Sequence, residues 1–137
     1  MRNIRQFKIG GSEMTLEERY LNMMHQWLIL KHEGKSIDNY LKNRGYNTAA
    51  VYGMAIYGRH VIRELQESDI KVLYGIDRKK MTSYKSIEVF QPTDALPLVD
   101  VIINTVLSDH DRIKLCLAQI TESPIESLED IIFESYG

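Results

Sequence analysis

Apolar positions recur at intervals of three and four through Leu16, Tyr20, Met24, Trp27 and Leu28, the spacing that aligns side chains on one face of an α-helix. Thr15 and Glu18 stand three apart at the head of this stripe. That is the capping-box spacing, in which hydroxyl and carboxylate satisfy the first free backbone donors. Gly34, after Lys31-His32-Glu33, supplies the stop, so a helix is predicted over 15–33. Leu21, Met23, Ile29 and Leu30 widen the stripe until the last turn is apolar nearly all round. Such a helix is expected to pack in two directions, against its own domain and against a second protomer or a neighbouring domain. A short second helix is predicted from Ser36 to Gly45, with Ile37, Tyr40 and Leu41 inward. Gly34-Lys35-Ser36 ends like a P-loop, but that motif needs glycine where Ile29 stands and a strand in front of it. Ser36 is therefore read as a helix cap.

From residue 48 the pattern changes to short apolar runs alternating with helical spacing. Residues 48–52 form one run, ending at Gly53, and 56–67 return to a helical period through Ile56, Val61 and Leu65. Ile70, Val72, Tyr74 and Ile76 alternate in β fashion and end at Asp77; residues 87–90 make a short strand stopped by Pro92; 99–106 is rich in β-branched residues. Ser108-Asp109-His110-Asp111 opens a helix with Ile113, Cys116, Leu117 and Ile120 inward, Cys116 being read as a small buried hydrophobe. Pro124-Ile125 suggests a last strand, and Ser127 caps a terminal helix through Leu128, Ile131 and Ile132. Strands separated by helices imply right-handed crossovers and a parallel sheet covered on both faces. The expected fold is a three-layer, Rossmann-like α/β domain with strand order 3-2-1-4-5, preceded by two N-terminal helices. We divide the chain into an N-terminal arm and helical lead, 1–46, and a nucleotide-binding domain, 47–137.

Composition narrows the class. The 137 residues are 44% hydrophobic and 26% charged, as in ordinary globular domains. No uninterrupted apolar run exceeds four residues, far short of the roughly 20 that span a bilayer. A formal charge of -2 gives no global field favouring nucleic acid, which is accordingly set aside as a partner. The start of the chain lacks an apolar stretch of signal-peptide type, and the single cysteine suits a reducing, cytoplasmic compartment. Residues 1–12 carry Arg2, Arg5 and Lys8 without an acid and are read as a loose arm; 115–137 carry five acids without Lys or Arg and are read as a solvated face.

The chemistry concentrates at Gly53-Met54-Ala55-Ile56-Tyr57-Gly58, between the first strand and its crossover helix. The place and spacing are those of the dinucleotide fingerprint G-x-G-x-x-G. Gly53 suits the tight turn and Gly58 the close approach of helix to strand. Ala55 replaces the central glycine. The helix N-terminus offers free N–H groups to a phosphate. Asp77 closes the second strand 24 residues after Gly53, near the offset of a carboxylate that accepts from ribose hydroxyls. It would favour NAD or a uridine nucleotide over NADP, whereas Arg78, Lys79 and Lys80 would meet an extra phosphate. With Thr105 at the end of the fourth strand, the candidate cofactor contacts are Gly53, Met54, Ala55, Ile56, Tyr57, Gly58, Asp77, Arg78 and Thr105.

The segments Ala49-Ala50-Val51-Tyr52-Gly53-Met54-Ala55-Ile56-Tyr57-Gly58-Arg59 and Val72-Leu73-Tyr74-Gly75-Ile76-Asp77 resemble the Rossmann-type domains of bacterial glycan-biosynthesis proteins. These include the nucleotide-sugar-binding N-terminal domains of sugar acyltransferases and accessory domains of glycosyltransferases. The resemblance extends over residues 35–132. It implies a phosphate loop at Gly53, Ala55 and Gly58, an acid for ribose or base at Asp77, and a nucleotide or nucleotide sugar as ligand.

No catalytic set accompanies the loop. None of the eight tyrosines has lysine four residues on, and there is no G-x-S-x-G elbow or H-E-x-x-H pair. Asp109-His110-Asp111 is read as helix capping rather than metal binding. The expected function is a non-catalytic module that binds NAD(P), a uridine nucleotide or a nucleotide sugar, and that dimerises or docks a glycan-biosynthesis domain through helix 15–33. The alternatives are an NAD(P)-dependent oxidoreductase fragment and a ligand-free assembly module.

Overall fold

A computed structural model describes residues 8–9 and 12–135. Most of the 1–12 arm lies outside the described residues; within it β1 (Lys8–Ile9) pairs antiparallel with β2 (Ser12–Glu13). Helix α1 (Leu16–His32) starts at the Thr15–Glu18 capping box, with both reciprocal bonds formed. Helix α2 (Ile37–Asn43) comes next. Ser36 occupies its N-cap position, but the hydroxyl bonds the Asp38 carboxylate instead of capping the helix backbone.

The main sheet comprises β3 (Thr48–Tyr52), β4 (Lys71–Ile76), β5 (Ser83–Tyr84), β6 (Ile87–Phe90), β7 (Val101–Asn104) and β8 (Ile125–Ser127). Its order is β5-β6-β4-β3-β7-β8. Apart from antiparallel β5, every strand is parallel to its neighbours. The five parallel strands therefore stand in the expected order 3-2-1-4-5, and the fold is Rossmann-like. The strand expected over 99–106 is shorter, since Asp100 turns back to accept the Asn47 and Thr48 amides and Asn104 begins a side-chain-bonded turn.

Two expected features differ. Helix α3 (Ile56–Gln66) joins β3 to β4 and helix α4 (His110–Ala118) joins β7 to β8. The connections 77–86 and 91–100, however, contain no helix. Pro92 and Pro97 explain the second, because proline lacks the donor a helix interior needs. The alternation along β4 also breaks. Ala49 pairs with Val72 but Ala50 with Tyr74, so Leu73 is an inserted bulge residue. Ile70 and Val72 face one core layer, whereas Tyr74 and Ile76 face the other.

The first layer is thick. It packs α1, α2, α3 and α5 (Leu128–Glu134) on the sheet through Met23, Trp27, Leu30, Ile37, Leu41, Val61, Leu65, Leu128 and Ile131. The second is thin, with Ile113 and Leu117 of α4 meeting Ala50, Tyr52, Tyr74 and Ile102. Trp27, the expected anchor of an intermolecular patch, is 4% exposed inside the first layer, and its Nε1 donates to Glu64. Helix α1 therefore folds back to complete its own core. Leu21 and Leu28 are left on its outer side.

The acidic C-terminal run is likewise no solvated face. Glu129 is 1% exposed and accepts from Arg19 at 2.7 Å; Glu126 accepts from the hydroxyls of Tyr40 and Tyr46; Glu134 meets Arg44. The missing basic partners come from the helical lead, far away in sequence. Buried next to Glu126, the Tyr40 and Tyr46 hydroxyls are held above their ordinary pKa.

Candidate functional site

At the carboxyl end of β3 the chain must turn sharply into α3. Gly53 does so with φ +93°, a conformation open to glycine at little cost. A Cβ there would also lie 2.5 Å from Thr105 Oγ1. Gly58, in the first turns of α3, is pressed against that turn so closely that a Cβ would fall 1.8 Å from the Gly53 carbonyl oxygen. These glycines let helix and strand meet with no side chain between them. Thr105, 4% exposed, fixes the turn from beneath by offering its hydroxyl to the carbonyls of Tyr52, at 2.8 Å, and Gly53, at 3.1 Å.

The Met54 amide donates to Asp77 Oδ2 at 2.7 Å, and the Lys79 amide donates to Oδ1 at 2.7 Å. Asp77 thus ties the end of β4 to the glycine turn and organises its own turn. Met54 turns its side chain inward over β4. A Cβ on Gly75 would meet Met54 Sδ at 2.6 Å, so this glycine makes room for the sulfur. Ala55, Ile56 and Tyr57 begin α3, whose N-cap receives no side-chain hydrogen bond. Ala55 and Ile56 are exposed, while the Tyr57 ring stacks on Tyr20 of α1.

A cavity of about 560 Å³ opens at the carboxyl ends of β6, β4, β3 and β7 on the α4 side, within the range of small-molecule sites. It lies where the strand order reverses, the usual ligand position in open α/β sheets. Of the nine expected contacts, Gly53, Asp77 and Arg78 line it. Met54, Ala55, Ile56, Tyr57, Gly58 and Thr105 do not; they build the turn beside it. The rest of the lining comes from Tyr52 and Val106 beside the turn, from residues 91–93 after β6, and from Ser108, Asp109, Arg112, Ile113, Cys116 and Leu117 at the α4 end. Burial raises the Tyr52 hydroxyl's pKa; Arg78 and Arg112 oppose the shift, and Asp77 adds to it.

The α4 end of the cavity departs from expectation. Cys116 is exposed and faces the cavity, because only Ile113 and Leu117 of α4 reach the sheet. Asp109 holds the N-cap position without a side-chain capping bond, and its carboxylate instead pairs with Arg112 at 2.9 Å. His110 Nδ1 lies 2.9 Å from the Asn104 side-chain nitrogen. Among the described residues no group of three or more His, Cys, Asp or Glu side chains is placed to hold a metal. Arg112 and Cys116 escape the sequence reading. Their one signal is a spacing of three and four from Asp109 and Arg112 along one stripe of the helix, beside Ile113 and Leu117.

No protein-family model matches the chain, and no curated protein matches it significantly. Among solved structures it is similar to the crystal structure of RSP, a Rex-family repressor, with 14% identity over 97% of this chain and 71% of that chain and a TM-score of 0.46. Nothing in these comparisons carries the glycan-biosynthesis resemblance. One expectation is corrected. That solved structure is described as a repressor, and a formal charge of -2 is a sum over the whole chain that does not exclude a local basic surface, so the exclusion of nucleic acid as a partner is withdrawn. The burial of Trp27 removes the anchor expected for a dimer on helix 15–33, and nothing in these comparisons supports a dimer. No helix among the described residues is long and apolar enough to cross a membrane.

Proposed function

We propose that this chain is a nucleotide-binding module of Rossmann type, with residues 47–137 holding the ligand and 1–46 completing the core. One observation carries the reading: a cavity at the strand-order reversal brings together the glycine turn, a strand-terminal carboxylate and two arginines. In this reading Asp77 accepts ribose hydroxyls through the lone pairs left after its two amide bonds. Arg78 and Arg112 meet phosphate oxygens. Tyr52, Val106 and Ile113 offer apolar surface to the base. A phosphate that extends past Gly53 meets, in this reading, the amides from Ala55 to Gly58 at the uncapped start of α3, beside the cavity. Candidate ligands are NAD(P), a uridine nucleotide and a nucleotide sugar. A role beside glycan-processing enzymes is the finer form of the proposal, supported by the sequence resemblance of residues 35–132 alone.

A second reading has its own support. Both Asp77 oxygens already accept backbone amides, as they would in a Rossmann-like scaffold that holds no ligand. Thermal shift and calorimetry with NAD, NADP, UDP, UDP-sugars and CMP separate the two. Saturating a true ligand at 100 times its dissociation constant adds about 2.7 kcal/mol of stability. Binding of one of these ligands, lost on Asp77→Ala, supports the module. Silence across the panel, repeated with Ala55→Gly, overturns it in favour of the scaffold.

A further inference from the structure

The carboxyl edge of the sheet is open over one half and closed over the other. The closure comes from the first turns of α1. Arg19 Nη2 sits 2.7 Å from Glu129 Oε1, just beyond β8. The Leu107 amide, just beyond β7, donates to the Tyr20 hydroxyl at 3.1 Å. The Tyr20 ring stacks on Tyr57, just beyond β3, with centroids 4.5 Å apart and planes at 14°. Leu107 is 3% exposed and Glu129 1%. Two successive residues of α1 thus bind the chain just past the ends of three strands. None of Tyr20, Tyr57 and Leu107 lines the cavity, which ends at Gly53, Val106 and Ser108.

The edge beyond β8 is unsuited to a second nucleoside for further reasons. Ser127 ends β8 and at once caps α5, leaving no loop there to hold a ligand. The next charges along the chain are acidic, and Glu129 is already committed to Arg19. A phosphate arriving there would face carboxylates instead of donors.

A dinucleotide lies across the crevice, with one nucleoside on each side of the strand-order reversal. We infer that this site takes one nucleoside with its phosphates, a nucleoside mono- or diphosphate, and is closed to a second nucleoside by the Arg19–Tyr20 strap. The inference rests on the nucleotide-binding reading above.

Calorimetry on the full chain tests it with AMP, ADP, NAD, UDP and UDP-glucose. NAD is expected to bind no more than threefold more tightly than ADP, and UDP-glucose no more than threefold more tightly than UDP. Tyr20→Ala is expected to raise the NAD-to-ADP affinity ratio at least tenfold by opening the edge. Tyr57→Ala removes the other ring of the stack and serves the same purpose should Tyr20→Ala not fold. A wild-type preference for NAD over ADP above threefold overturns the closed half while leaving the nucleotide reading intact. An unchanged ratio in a folded variant overturns it as well. Failure of all five nucleotides to bind removes the underlying reading and this inference with it.

Discussion

The two faces of the sheet are built differently. One carries α1, α2, α3 and α5, sealed by Trp27, Leu30, Leu65 and Ile131 and tied by Arg19–Glu129 and the Glu64 carboxylate, which accepts from Trp27 and the Ile37 amide. The other carries α4 and the proline-containing segment 91–100, leaving Leu98, Leu115 and Ile120 exposed and a cavity at its upper edge. Stability is concentrated where apolar burial is dense. The thin face keeps an open cavity because the connection from β6 to β7, which would cover it, contains no helix.

Perturbations of the thick face and of its seam with the glycine turn should therefore cost most. Gly58→Val places a branched side chain where even a Cβ lies 1.8 Å from a backbone oxygen. We expect a loss of about 3 kcal/mol or more, the upper range of overpacking, in urea denaturation; a loss under about 1 kcal/mol would show that α3 can move away freely. Glu129→Ala leaves the Arg19 guanidinium, whose side chain is 14% exposed, without its buried partner. Breaking such a pair costs about 3–5 kcal/mol, and a near-neutral result would place Arg19 in solvent.

The thin face should respond more mildly. Tyr74 is 1% exposed and donates to the Pro97 carbonyl at 2.6 Å, fastening segment 91–100. Tyr74→Phe should cost about 1 kcal/mol at neutral pH. Burial pushes the Tyr74 pKa up to about 12 from an ordinary 10.0. The folded state therefore holds this proton more tightly than the unfolded chain. The associated stability is complete below pH 10.0 and is lost as pH rises toward 12. Unfolding free energies of the wild type should fall across that window more steeply than those of Tyr74→Phe; parallel curves would contradict the burial. Arg112→Ala should change stability by less than about 0.5 kcal/mol, since its Asp109 pair is exposed. Nucleotide affinity should nonetheless drop about tenfold, and an unchanged dissociation constant would remove Arg112 from the phosphate contact.

Much of this architecture is legible in the sequence because it is local. The capping box, the 48–52 run, Gly53 and Gly58 each depend on neighbours a few residues away, and strand order 3-2-1-4-5 comes from their succession. What escapes depends on distant partners. Trp27 looks like an interface anchor because Glu64 and the sheet that cover it are not adjacent in sequence. The acids of the C-terminal run look solvated because Arg19, Arg44, Tyr40 and Tyr46 lie some 80 to 110 positions away. The Leu73 bulge leaves no mark in the alternation, although it reverses the faces of Tyr74 and Ile76. At the site, the loop and Asp77 carry a motif, whereas Tyr52, Arg112 and Cys116 become neighbours only when α4 settles across the end of β3.

An amide NMR titration with ADP tests the central claim most directly. The account predicts that shifts concentrate at Gly53, Asp77, Arg78, Val106 and Arg112 around the cavity, and that α2 and α5 stay still. Shifts centred on α2 and α5, or none at saturating ADP, would contradict a nucleotide site on the thin face of the sheet.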